Sequence, residues 1–204
     1  MSVDKNIRAY DKKADNYDNT LDGKFTGKLK DLLLAYMLIK DNDSVLDVGC
    51  GNGTLLSKID KAINGFGADV SPRMIKNASV RHPKFEFIVS GCEKIPYSDN
   101  SMDIITACAA YHHFPDVRAF AAEAKRLIKQ GGSLYIAEVY LPPIIRHAAN
   151  IFFTFFKRWR REILFMQGNS RYVFRVFTCE DGEKRIYSNC SAAKKIVLDM
   201  AMVR

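Results

Sequence analysis

"VLDVGCGNGTLL", Val45 to Leu56, is the stretch from which the rest of the chain is read. Val45, Leu46 and Val48 are apolar and β-prone, which predicts a buried strand over about 44–49. Gly49, Gly51 and Gly53 follow at alternate positions and permit positive φ and close approach by a neighbour. Thr54, Leu55, Leu56 and Ile59 then begin a helical pattern. A strand, a glycine turn and a helix start together form a place where backbone N–H groups meet a ligand. A tight turn with no ligand would need only one glycine.

Working outward, apolar runs alternate with helical stretches. "GFGADV" (65–70), "KFEFIVS" (84–90), "MDIITAC" (102–108) and "SLYIAEV" (133–139) read as strands. "PRMIKNASV" and "DVRAFAAEAKRLIKQ" read as helices, the second ended by the glycine pair at 131–132. Upstream, Ile7, Tyr10, Ala14 and Tyr17 predict an amphipathic helix over 4–18, and Phe25, Leu29, Leu32, Leu33, Tyr36 and Met37 a second one. The expectation is an α/β fold: a Rossmann-like, doubly wound, mostly parallel sheet with helices on both faces. A single domain fills 1–204, with an N-terminal helical cap at 1–40, a core at 41–140 and an unusual C-terminal part at 141–204.

That last part is harder to read. Residues 144–166, "IIRHAANIFFTFFKRWRREILFM", are aromatic and then basic. They suit a helix packed on the domain, a lid, or a membrane-surface contact. "YVFRVFTCEDGEKRIYS" (172–188) reads as a hairpin turning at Asp181–Gly182, and 189–204 as a short final helix.

Composition narrows the classes. The 204 residues carry a net charge of +8, which suits an anionic partner or simply a solvated surface. The five cysteines (Cys50, Cys92, Cys108, Cys179, Cys190) are widely spaced, with no C-x-x-C pair. This argues against a disulfide framework or a zinc site and for a reducing, cytoplasmic setting. No signal sequence is apparent, and no apolar run nears the ~18 residues of a membrane span.

The ligand class follows from three features. Thr54 stands where a dinucleotide site would place its last glycine. Asp47, two residues before the turn, would repel a pyrophosphate but suits an ammonium group. Asp69 ends the second strand, where a carboxylate can accept both hydroxyls of a ribose; as a helix cap it has a rival in Ser71. An amino group at one end and a ribose at the other describe S-adenosylmethionine.

"VLDVGCGNGTLL", "GADVSPRMI", "EKIPYSDNSMDIITACAAYHHFPD" and "KRLIKQGGSLYIAE" together resemble the class I S-adenosylmethionine-dependent methyltransferases, in particular the small-molecule group similar to ubiquinone/menaquinone C-methyltransferases. The resemblance covers about residues 5–140. It implies that Gly49, Cys50, Gly51, Asn52 and Gly53 pass under the methionine part of the cofactor. It also implies that Asp47 holds its ammonium and that Asp69 takes the ribose. Val70 and Met74 would line the adenine pocket, and Gly91, Cys92 and Glu93 would read the adenine edge, although Gly91 lacks the polar side chain usual there. Tyr17, in "YDKKADNYD", would lie near the cofactor carboxylate. The usual fold ends in two antiparallel strands, and 182–204 resembles the lead-in to them; those strands are therefore expected to be missing or altered, or the open edge to pair in a homodimer.

Methyl transfer is an in-line displacement, and a base is needed only for an unionised hydroxyl or an acidic C–H. His112 is the first candidate, as base or as orienting group, ahead of His113. No metal is called for. The segment after the fourth strand reads "ACAAYHHF", without the (D/N/S)-P-P-(Y/F/W) motif of amino-methylating nucleic-acid enzymes and without a Pro-Cys nucleophile. The expected activity is methylation of a small molecule, with S-adenosylhomocysteine as by-product. The alternatives are a cofactor-binding protein without catalysis and an RNA methyltransferase, the latter resting on charge alone.

Overall fold

The computed structural model describes residues 3–140, 171–178 and 196–199. Seven strands form one sheet: β1 (Ser44–Val48), β2 (Asn64–Asp69), β3 (Glu86–Val89), β4 (Met102–Cys108), β5 (Ile128–Tyr140), β6 (Arg171–Thr178) and β7 (Ile196–Asp199). Their order is β3-β2-β1-β4-β5-β6-β7. The first five are parallel, with Val45 opposite both Gly65 of β2 and Ile104 of β4. The chain runs outward from β1 through β2 to β3 and then crosses back to β4. That reversal opens a crevice at the carboxyl ends of β1 and β4, which is where such sheets bind ligands.

Because helices cover both faces, the central strands are apolar on both sides. In β1, Val45 packs with Leu29 and Leu33 of α2 (Leu21–Leu34), while Leu46 packs with Phe120 and Leu127 of α5 (Val117–Leu127). Ile104 and Ile105 of β4 divide between the two faces in the same way. Glu123 is the buried charge under α5: it accepts from the Ile95 N–H at 2.6 Å and pairs with Arg126 at 2.7 Å. The N-terminal cap is α1 (Val3–Lys13), a 3₁₀ turn (Ala14–Asn19) and α2, which Thr20 caps by accepting from the Gly23 N–H. α4 (Pro72–Arg81) begins with Ser71 as N-cap and Pro72 in its first turn.

The structure corrects three readings. The helix expected after Thr54 is a single turn, α3 (Thr54–Ser57). α5 stops at Leu127, before the glycine pair; Gly131 (φ 78°) lies instead in a bulge of β5, where Met102 pairs with Ile128 but Ile104 with Ser133. The expected final helix contains β7, antiparallel to β6, with Arg171 opposite Asp199. β6 is itself antiparallel to β5 (Ser133 opposite Thr178), so the two strands expected to be missing or altered are present in altered form. The 144–166 segment and the Asp181–Gly182 turn lie outside the described residues.

Candidate active site

A cavity opens at the carboxyl ends of β1, β2 and β4. It is open to solvent at its mouth, and the space in and around it is about 950 Å³. Gly49, Cys50, Gly51, Asp69, Val70, Met74, Gly91, Cys92, Glu93 and Tyr17 all line it. Two glycines serve it differently. At Gly49 (φ 78°) a Cβ would come within 2.4 Å of Ala110 Cβ, so the turn packs against the segment after β4. At Gly51 (φ 54°) a Cβ would meet only Met74 Sδ, at 3.9 Å, and would take up open cavity space. Ala109 also has positive φ (54°) directly after β4, a strained placement typical of functional segments.

Asp69 accepts from the Gly51 N–H through Oδ2 and the Ser71 N–H through Oδ1, both at 2.9 Å. Ser71 fills the capping position, so Asp69 is not needed there, and each carboxylate oxygen keeps a lone pair for a ligand hydroxyl. Burial raises its pKa, and the two N–H donors oppose that shift.

Four expected site residues lie elsewhere. Asp47 is 1% exposed and sits behind the cavity wall, accepting from Thr106 Oγ1 at 2.7 Å; burial pushes its carboxyl up to about 6. Gly53 faces the Phe87 ring. Asn52 is buried and ties down the cap, donating to the Ala14 carbonyl (2.9 Å) and to Asp18 (3.1 Å). Its role belongs to a wider latch in which Asp11 meets Ser71, Asp15 meets Arg73, and Asp18 meets Thr54 and Arg81. Finally, His112 turns away from the cavity to Glu138, with Nδ1 and Oε2 2.9 Å apart.

It is His113 that lines the cavity. Its Nε2 lies 2.8 Å from Tyr10 Oη, linking the segment after β4 to the cap. Burial and the neighbouring His112 lower its pKa to about 4, while burial raises that of Tyr10, so both are neutral near pH 7. Tyr111–His113 forms a 3₁₀ turn, in which successive side chains diverge by about a third of a circle. The two rings still touch, with centroids 3.8 Å apart, but one meets Glu138 and the other Tyr10, and a one-dimensional pattern does not say which of them lines the cavity.

Sequence reasoning missed Asn6, Thr26 and Lys30 as cavity residues. Asn6 is 5% exposed, and its Oδ1 has no hydrogen-bond partner among the described residues. Lys30 is 7% exposed. A signal existed: Lys30 is four residues after Thr26 and three before Leu33, hence on the buried face of α2. Among the described residues no group of acidic, histidine or cysteine side chains forms a metal site, and no helix is long and apolar enough to cross a membrane.

The open space at Gly51, the spare lone pairs of Asp69 and the unpartnered Asn6 Oδ1 give the cavity room and hydrogen-bonding capacity for a polar ligand. Comparison with known proteins agrees. Residues 46–136, which carry β1 through most of β5, match the methyltransferase domain family. Over that stretch the chain is similar to class I S-adenosylmethionine-dependent methyltransferases. The chain is 29% identical to the demethylmenaquinone methyltransferase of Thermotoga maritima over 163 residues, 75% of this chain and 69% of that protein. It is 30% identical to the protein of the same name from Chlorobaculum tepidum over 134 residues, 64% of this chain but only 54% of the relative. Among solved structures, the YcgJ protein of Bacillus subtilis superposes with a TM-score of 0.56 at 27% identity, over 62% of this chain and 58% of the other.

Proposed function

We propose that this protein is a methyltransferase that moves a methyl group from S-adenosylmethionine to a small hydroxy-aromatic molecule. The observation that carries this reading is the two-sided cavity. One side is the glycine turn with Asp69; the other is an aromatic wall of Tyr10, His113 and Phe114. The relatives named as demethylmenaquinone methyltransferases support a flat, ring-shaped acceptor.

Bound there, S-adenosylmethionine supplies a methyl carbon already activated by its sulfonium centre. Asp69 would take the ribose hydroxyls, and Val70, Met74 and the Gly91–Glu93 segment would enclose the adenine. Gly51 leaves room where any side chain would intrude. On the acceptor side, Tyr10 Oη, paired with His113 Nε2, would hydrogen-bond the acceptor hydroxyl and orient it toward the methyl carbon. The new bond to the methyl carbon forms as the methyl–sulfur bond breaks, and the proton that the acceptor gives up passes to water at the open mouth of the cavity. Because His113 stays neutral down to about pH 4, it serves to orient Tyr10 rather than to carry a proton away. Asn6 Oδ1 offers a further acceptor at the same wall.

The test is calorimetric titration of S-adenosylhomocysteine, with Asp69→Ala as control. It is followed by transfer of labelled methyl to a panel of hydroxy-aromatic acceptors and to RNA. Micromolar binding lost in the variant, with label on a ring acceptor, is the expected result. Absent binding, or label on RNA alone, would overturn the reading.

A further inference from the structure

Among the described residues that line the cavity, Lys30 is the one lysine or arginine. It is 93% withdrawn from solvent by the 7% figure given above, yet it takes part in none of the ion pairs among the described residues. The other cations of the cap region are committed: Arg73 to Asp15, Arg81 to Asp18, Lys13 to Asp22 and Lys58 to Asp31. A lysine whose stem is buried and whose head reaches a semi-enclosed cavity is partly desolvated, and an anion entering that cavity would pair with it.

The neighbouring groups restrict which anion that is. Lys30 lies near enough to Asp47, Asp69, Cys50 and Cys108 for its charge to act on each of them. Asp47 is occupied by Thr106, and Asp69 by the Gly51 and Ser71 N–H groups, so neither closes on Lys30. The thiols of Cys50 and Cys108 are held protonated by burial and offer no negative charge. Thr26 and Tyr17 line the cavity as well and supply hydroxyls to such a site. With Asp69 at the nucleoside end of the cavity, a cation flanked by two hydroxyls suits a carboxylate at the other end of the ligand.

We propose that Lys30 is the receptor for the α-carboxylate of the amino-acid end of the cofactor. It thereby selects amino-acid-bearing nucleosides over their amine counterparts. This rests on the S-adenosylmethionine reading above and adds the group that recognises one end of the ligand.

The test compares S-adenosylhomocysteine with its decarboxylated analogue, 5′-deoxy-5′-(3-aminopropylthio)adenosine, by calorimetry on the full chain. The wild type is expected to prefer S-adenosylhomocysteine by about 10- to 100-fold, the range for a charge-assisted hydrogen bond. Lys30→Met keeps the hydrocarbon stem and should reduce the preference to about twofold by weakening only the carboxylate-bearing ligand; Lys30→Arg should keep most of it. Undiminished affinity of Lys30→Met for the decarboxylated analogue shows that the variant is folded. A preference that survives Lys30→Met, or an equal loss for both ligands, would overturn the assignment while leaving the cofactor reading intact. Binding of neither ligand by the wild type would overturn the cofactor reading and this one with it.

Discussion

Alanine at Gly49 and alanine at Gly51 should produce opposite phenotypes, although both glycines have positive φ and stand two residues apart. Each change carries a left-handed backbone penalty of about 1–2 kcal/mol, offset by about 0.4–1 kcal/mol from a stiffer unfolded chain. At Gly49 there is also a collision: the new Cβ would lie 2.4 Å from Ala110 Cβ. Carbon atoms prefer about 3.5–4.0 Å, so the segment after β4 must shift, at an overpacking cost of about 1–3 kcal/mol. The net loss for Gly49→Ala is then about 1–4 kcal/mol. At Gly51 the nearest atom, Met74 Sδ, is 3.9 Å away and the collision is absent. The net there is only about 0–1.5 kcal/mol, but a methyl group occupies ligand space. Urea denaturation measures the first effect and S-adenosylhomocysteine titration the second. Gly49→Ala should be the less stable protein, and Gly51→Ala should be near wild type in stability with affinity reduced at least tenfold. Equal destabilisation of the two, or wild-type affinity in Gly51→Ala, would refute this account of the turn.

Acid stability should show two opposing contributions. His113 has its pKa lowered from 6.5 to about 4, so the unfolded chain takes up that proton first and stability is lost as pH falls through this window. Asp47 has its pKa raised from 3.8 to about 6, so the folded chain takes up that proton first and stability is gained as pH falls from about 6 toward 3.8. Denaturation midpoints compared across this range should fall less steeply with acid in His113→Gln than in wild type, and more steeply in Asp47→Asn; shifts of the same sign in both would contradict the assignment. Asp18→Ala removes a partner from Asn52, Thr54 and Arg81, and should speed hydrogen exchange in 3–19 and weaken S-adenosylhomocysteine several-fold while leaving exchange in β1 and β4 unchanged. Glu123→Ala strands the Ile95 N–H and should cost about 2–4 kcal/mol in urea denaturation. Glu123→Gln, which still accepts that bond, should recover at least half of it.

Much of this molecule is local chemistry, and local chemistry is legible in a sequence. Val45 to Leu56 dictates a buried strand and a turn that only glycine fits, and Asp69 follows from its place at the end of β2. Parallel order and the crevice at β1 and β4 follow from strands alternating with helices. What the sequence could not settle depends on which side chain faces which neighbour. His112 and His113 are adjacent and chemically identical, and only the packing of the turn between β4 and α5 sends one to Glu138 and the other to Tyr10. Lys30 looks like any helix lysine until α2 lies across the cavity, and Asp47 looks like a ligand group until Thr106 closes over it. The chain from 189 onward reads as helical by propensity, yet 196–199 joins the sheet because β6 presents an unpaired edge whose backbone groups need partners. Periodicity and turn chemistry act within a few residues and are written in order along the chain. Charge placement, burial and edge pairing arise between segments far apart in sequence, and only the folded structure decides them.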